Sequence, residues 1–373
     1  MRIRMTTESA GKVLLGMSGG VDSSVACFML QEQGFEVIGV TLLTNPLSLD
    51  HLDDVKAVAR QAGIRLLVED VQPRFSNLII RDFVEAYTSG RTPNPCVLCN
   101  PAVKFDALES VADQEGCGYF ATGHYAAVRH FADRGRYALT QTDAGQKDQT
   151  YFMYRLSQKQ LSRLILPLSG FRKEQVRDKA RTLGLAAHDG QHLSIKPDSQ
   201  DNCFIGKEGY ADYIRQHLET HGPARWLQLF APGPVLNPDG EEIGRHRGLI
   251  HYTTGQRKGF DVKTTERLFV LGKQPERNAL IVGSYDRVKR TTITVVDPVY
   301  SGLARIEPGQ RLMARIRNSA APVPCEVVPQ PDGRIEVNFD EAVAAPAAGQ
   351  SCVFYDRGCI MAGGYISDES VTV

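Results

Sequence analysis

No run of eighteen or more apolar residues occurs in this chain of 373 residues, so no membrane-spanning helix is expected. The first nine residues lack the apolar core of a secretory signal, and a cytoplasmic location follows as the expectation. Charge of one sign is not in excess. Lys plus Arg and Asp plus Glu are both 43, which weakens any picture of a uniformly basic nucleic-acid binder. If RNA is bound, local positive patches must do it, because phosphate contacts carry most of such affinity. No internal repeat and no long low-complexity run is present. The eight cysteines, in a reducing compartment, do not make a disulfide scaffold. A structural zinc site needs four ligands, and no second C-x-x-C or close Cys/His pair completes one.

What is present reads as α/β. Lys12–Met17, Phe35–Val40 and Ile64–Glu69 are short apolar runs of strand type. They alternate with helical stretches at Val25–Gln33 and Asp53–Gln61, closed by Gly34 and Gly63. Strands alternating with helices imply a parallel sheet covered on both faces. Gly118–Gly123 is a later strand ending at the site, and Lys159–Ile165 and Lys173–Leu183 are helical. The texture changes after Gly209, where Pro232-Gly233-Pro234 and Asn237-Pro238-Asp239-Gly240 mark turns between short apolar runs. From Arg290 onward short strands separated by Gly and Pro predict a small barrel, and Ala342–Gly349 reads as a connecting loop. The expected division is 1–208 for an α/β nucleotide domain, 209–288 for a small strand-rich central domain and 289–373 for a C-terminal β-barrel.

The sharpest motif is Ser18-Gly19-Gly20-Val21-Asp22-Ser23-Ser24, between a predicted strand and a predicted helix. The glycines allow close backbone approach to an anion, the serines add hydroxyl donors, and the helix start adds free N–H groups. No Lys follows the glycines, so this is not the G-x-x-x-x-G-K-[ST] loop of kinases and GTPases. It resembles the pyrophosphate loop of N-type ATP pyrophosphatases, which split ATP between the α and β phosphates. That resemblance implies an adenine-nucleotide α-hydrolase-like fold, ATP as substrate, and Asp22 holding Mg²⁺ near the departing pyrophosphate.

Two Pro-bounded polar segments carry cysteines: Arg91–Asn100, with Cys96 and Cys99, and Pro197–Gly206, with Cys203. Both read as loops. A thiolate is the nucleophile and sulfur carrier, and it reacts best where exposed and near positive charge. A C-x-x-C alone could equally be a redox pair or half a metal site. Cys27, Cys117, Cys325 and Cys352 lie in apolar segments and read as small core residues.

Taken with Ala121–Tyr125, Lys147–Phe152, Asp198–Gly206, Gly255–Gly259 and Gly349–Tyr355, these segments make the chain resemble the tRNA-specific 2-thiouridylase family (MnmA) over nearly its full length. The resemblance implies ATP-dependent thiolation of C2 of the wobble uridine, in tRNAs such as those for Lys, Glu and Gln. It implies a persulfide on Cys203, with Cys99 closing a transient disulfide to it. Gly16, Met17, Ser18, Gly19, Gly20, Val21, Asp22 and Ser23 would bind ATP, with Leu42 and Gly123 at the adenosine. Asn94, Pro95 and Cys96 would line the target base, which must leave its stack. His124, Lys147, Asp148, Gln149, Arg317, Asn318 and Gln350 would face the anticodon stem-loop. The implied partners are tRNA and a sulfur-donor protein, such as a cysteine desulfurase or relay carrier, acting on a monomer.

Many relatives carry Asp where this chain has Cys96. Cys96, Cys99 and Cys203 could instead hold a [4Fe-4S] cluster, since soft thiolates suit such clusters. Arg172, Lys173, Arg177, Lys179 and Arg181 form a basic cluster, either an RNA contact or a solvated helix face. Two readings from other classes compete: an amide or amine ligase on the same nucleotide fold, and a non-catalytic nucleotide-dependent RNA-binding protein.

Overall fold

The computed structural model describes residues 11–143, 147–197, 202–262, 264 and 266–370. It divides into two compact units, and neither is continuous in sequence. The first comprises residues up to Leu78 and Cys96–Phe204; the second comprises Ile79–Pro95 and Ile205 onward.

The first unit is built on five parallel strands, β1 (Lys12–Gly16), β2 (Glu36–Leu43), β3 (Arg65–Asp70), β4 (Tyr119–Ala121) and, after a hairpin of β5 (Ala127–Phe131) and β6 (Arg136–Thr140), β7 (Leu164–Ile165). Their order is β3-β2-β1-β4-β7. Val13, Leu14 and Leu15 of β1 are fully buried, as expected of a central parallel strand covered on both faces. Helix α1 (Val21–Glu32) packs Val25, Ala26, Cys27, Met29 and Leu30 into a core shared with Val13, Leu15 and Met17. Helix α2 (Leu52–Ala62) buries Val55 and Val58 in the same core, and helix Lys173–Thr182 adds Val176 and Ala180. Strand order reverses at β1, whose neighbours β2 and β4 are reached by different crossovers. Such a switch point leaves a crevice beyond the carboxyl ends of the strands, where open α/β sheets bind ligands.

In the second unit, helices Arg81–Thr88 and Tyr210–His221 meet through stacked Tyr87 and Tyr210 rings, 5.1 Å apart. A five-stranded sheet follows, formed by β8 (Gly233–Leu236), β9 (Glu242–His246), β10 (Asp261–Val262), β11 (Phe269–Gln274) and β12 (Ala279–Gly283). Its order is β10-β9-β8-β12-β11. The last six strands are β13 (Lys289–Tyr300), β14 (Gln310–Arg315), β15 (Val323–Pro329), β16 (Ile335–Ala344), β17 (Ser351–Asp356) and β18 (Cys359–Ile366). They run β13-β16-β15-β14-β17-β18, and a β13–β18 pairing closes them into an antiparallel barrel. Closure removes the exposed edges an open sheet would leave. Ile335, Val337 and Phe339 alternate inward along β16, the period-two signature of a strand with one buried face.

Three local expectations need correction. The C-x-x-C segment is not a loop: Pro95–Cys99 is helical and runs into a π-turn over Asn100–Phe105. Proline is at home in the first helical turn, where its missing N–H costs nothing, so Pro95 starts this helix. The helix expected at Lys159–Ile165 ends at Arg163, and Leu164–Ile165 forms the sheet's edge strand. The loop expected from Ala342 begins after Ala344, because β16 extends that far.

Candidate active site

The nucleotide loop sits at the carboxyl end of β1. Gly20 is the N-cap of α1, and no side chain caps the helix, so its first-turn N–H groups face outward. Ser24 N donates to Gly20 O at 3.3 Å, the first helical bond. Ser18 N donates to Ser23 Oγ at 3.1 Å, which folds the loop back over the helix start. Gly19 has φ +72°, and a β-carbon there would lie 3.1 Å from His51 O, so the turn requires glycine. Asp22 carries the loop's only acid. Its carboxylate accepts both 2.8 and 2.7 Å bonds from Lys173 Nζ and a 2.7 Å bond from the Tyr125 hydroxyl.

Gly123, just past β4, packs against the start of α1. A β-carbon there would come within 2.7 Å of Ser23 N and 2.8 Å of the Asp22 carbonyl carbon. Leu42, half-buried, lies one residue from the end of β2. Gly16, Met17 and Val21 form the frame of the loop; Met17 and Val21 are in the core.

The cysteines lie in the same unit. All eight in the chain are free thiols; Cys99 is buried, Cys96 half-buried and Cys203 exposed. Lys104 lies in the π-turn that follows, and both its backbone N–H and its ammonium act on Cys99. Burial pushes the Cys99 thiol up to about 12 and outweighs the nearby Lys104 ammonium, which pulls it down. Cys96 is raised for the same reason and offset by the same cation. Burial disfavours the Lys104 charge, yet Cys99, Cys203 and Cys96 together hold its affinity for a proton above the ordinary lysine value. The three sulfurs and one ammonium therefore lie within electrostatic reach of one another. They do not form a ready metal cage: among the described residues no three His, Cys, Asp or Glu side chains could hold one ion. Asp198–Asp201, of the segment that leads to Cys203, lie outside the described residues.

His124 joins the two halves of the site. Its ring stacks on Phe105 at 5.9 Å, and Nδ1 shares a 2.7 Å hydrogen bond with Thr122 Oγ1. Burial, helped by Lys104, lowers its pKa to about 3, so it is neutral at physiological pH and offers no cation to phosphate.

Other residues expected to face RNA are engaged inward. Asp148 is buried and accepts from Thr150 N, Thr150 Oγ1 and Gln141 Nε2 at 3.0–3.1 Å. Gln149 Oε1 accepts from Tyr125 N at 2.9 Å; Lys147 is exposed. In the second unit, Arg317 Nη2 donates to Ala344 O and Ala345 O, both at 2.7 Å. Asn318 O accepts a bond from Arg315. Gln350 Nε2 donates to Thr92 O and Pro93 O, at 2.9 and 3.2 Å, and so fixes the turn before Asn94 and Pro95.

Four of the five side chains of the basic cluster have partners within the fold. Lys173 pairs with Asp22, Lys179 with Glu32 and Arg181 with Asp178, while Arg177 donates to Ser194 O. One cation at the loop was not legible in sequence. Lys196 Nζ lies 2.6 Å from Asp54 Oδ2 and 3.3 Å from Gly19 O, from a position 177 residues along the chain. No spacing rule signals such a contact.

Three family models match successive parts of the chain. They are a tRNA methyl transferase HUP domain over residues 11–207, a tRNA methyl transferase PRC-barrel domain over 226–284 and an aminomethyltransferase β-barrel domain over 290–366. The tRNA-specific 2-thiouridylase MnmA of Acetivibrio thermocellus is 38% identical, covering 96% of this chain and 99% of the relative. That of Clostridioides difficile is 36% identical, covering 95% and 98%. A solved 4-thiouridine synthetase–RNA complex with bound ATP is 19% identical over 56% of this chain and 50% of its own, with a TM-score of 0.34, too slight a likeness to carry an argument. Fold and site define an α/β enzyme of the HUP class joined to a β-barrel. The chain belongs to the tRNA-specific 2-thiouridylase MnmA family.

Proposed function

We propose that this protein thiolates transfer RNA at C2 of the wobble uridine, using ATP. The names attached to its family models point to methyl transfer, whereas its relatives are named for thiolation. One observation favours thiolation: Cys96, Cys99 and Cys203 lie within electrostatic range of Lys104, in the same unit as the Ser18–Ser24 loop. Methyl transfer has no use for a nucleotide loop beside three thiols.

The C2 oxygen of uridine is a poor leaving group. It attacks the α phosphorus of ATP, the α–β bond breaks, and pyrophosphate leaves. The first-turn N–H groups of α1, with Ser18 and Ser23, receive the phosphates, and Leu42 and Gly123 border the adenosine. Asp22 would hold Mg²⁺, which would neutralise pyrophosphate charge when bound. Asn94, Pro95 and Cys96 line the base. Cys203, being exposed, accepts sulfur from a donor protein as a persulfide. Cys99 then attacks the inner sulfur of Cys203, a disulfide forms, and the outer sulfur, leaving as hydrosulfide, adds to C2 and expels AMP. An external thiol reductant restores the pair. Lys104 stabilises the anionic sulfur at each stage. His124, Lys147, Asp148, Gln149, Arg317, Asn318 and Gln350 shape or border the RNA surface, several by positioning backbone.

The same reading assigns 1–208 to catalysis, 209–288 to tRNA contact and 289–373 to a barrel, in a cytoplasmic monomer. No helix among the described residues is long and apolar enough to cross a membrane. An iron–sulfur cluster on the same three cysteines is the alternative sulfur carrier. Incubating the protein with ATP, unmodified tRNA and a persulfide-bearing donor (a cysteine desulfurase supplied with cysteine), with no free sulfide added, then digesting to nucleosides, should yield 2-thiouridine by mass spectrometry. Cys203→Ser should abolish it; undiminished 2-thiouridine from that variant overturns the persulfide.

A further inference from the structure

The loop Ser18–Ser24 contains no Lys or Arg, yet the group proposed to bind there carries several negative charges. Backbone N–H groups and a helix dipole supply only partial positive charge. The fold brings two ammonium groups to the loop from remote parts of the chain. That of Lys173 is held by both oxygens of Asp22, and its side chain is only 10% exposed. That of Lys196 sits differently. It donates to Asp54 Oδ2 at 2.6 Å and to the Gly19 carbonyl at 3.3 Å, and its side chain is 23% exposed.

Asp54 is the dock for Lys196. It projects from the first turn of α2, and its other oxygen, Oδ1, accepts from His188 Nδ1 at 2.7 Å and from His188 N at 3.1 Å. The carboxylate is thereby fixed on both sides. Among the described residues, two of the three N–H donors of Lys196 have partners, which leaves one for a further acceptor. Asp54 packs beside Gly19, the left-handed residue of the loop, so docking on this carboxylate holds the Lys196 ammonium at the loop's backbone.

We propose that Lys196 is a pyrophosphate-binding residue of the nucleotide site, presented to the loop by Asp54, which His188 orients. It rests on the nucleotide reading above and supplies the cation that the loop itself lacks. Because a charge-assisted hydrogen bond is at stake, Lys196→Met should weaken binding of Mg-ATP and of inorganic pyrophosphate about ten- to a hundredfold, while binding of adenosine is unchanged. Lys196→Arg, which keeps the charge, should recover most of that loss. Isothermal titration calorimetry on the full-length chain measures both.

A second measurement leaves the sequence intact. The wild-type protein is acetylated with an N-hydroxysuccinimide ester and Lys196 is read by peptide mass spectrometry. Inorganic pyrophosphate with Mg²⁺ should protect it several-fold, and adenosine should not. Wild-type protein that binds pyrophosphate while Lys196 is labelled at the unprotected rate overturns the proposal and leaves the nucleotide reading standing. Wild-type protein that binds neither ATP nor pyrophosphate overturns both.

Discussion

At the scale of single residues, the three site cysteines differ in what surrounds them. Cys203 stands exposed on a turn, while Cys99 is buried against the core side of its helix. Reactivity follows the thiolate, and burial holds the Cys99 thiol up near 12 despite Lys104. The sign follows directly. Below that value Cys99 is protonated, and its thiolate fraction rises about tenfold for each pH unit until pH approaches the pKa. With limiting iodoacetamide at pH 7.5, Cys203 should therefore be alkylated well before Cys99, and Cys99 labelling should climb steadily between pH 8 and pH 10. Peptide mass spectrometry over that range measures it, and equal labelling at pH 7.5 contradicts the assigned division between an accepting and a resolving thiol. Charge at His124 plays no part in this range, since its ring is already neutral above about pH 3.

Elements were legible where one physical constraint ruled their sequence. The strands of the parallel sheet read as short apolar runs because both faces are covered, and Val13, Leu14 and Leu15 show it. Barrel strands read through alternation, as along Ile335, Val337 and Phe339. The helical C-x-x-C segment escaped because Pro93 and Pro95 resemble loop punctuation, although proline also begins helices. The π-turn after it has no sequence signature, and neither does the approach of Lys196 to Gly19, which depends on tertiary packing. The basic helix Lys173–Thr182 shows the opposite failure, a charge run whose partners are invisible in one dimension. Lys179 donates to both oxygens of Glu32 at 2.8 Å, and Arg181 pairs with Asp178 at 2.6 Å. Since each of these cations lies beside a carboxylate that would repel phosphate, replacing both Lys179 and Arg181 with Ala should change tRNA affinity by no more than about twofold at 150 mM salt. A filter-binding titration that loses tenfold or more, with a smaller salt slope, would return this helix to the RNA surface.

At the scale of the whole molecule, chain order and compactness do not coincide. Ile79–Pro95 lies within the first 208 residues but belongs to the second unit. Its helix Arg81–Thr88 buries Phe83, Val84 and Ala86. Tyr87 lies edge-on to Phe83, stacks on Tyr210, and sits beneath the Lys273 ammonium at 5.8 Å. Tyr210 and Lys273 are supplied by chain beyond residue 204. A cut at the apparent end of the nucleotide domain therefore strands a helix whose apolar face has lost these partners, and exposed apolar surface of that kind drives association. A fragment ending at Phe204 should bind anilinonaphthalene sulfonate strongly and sediment as aggregates. Co-expression with a fragment from Ile205 onward should restore a soluble complex and suppress the dye signal, because the missing ring stack and lysine return on the second chain. A Phe204-terminated fragment that is monomeric and dark to the dye would mean that Ile79–Pro95 is stabilised by the first unit alone, and that the continuous division at residue 208 describes the folding units better than the discontinuous one.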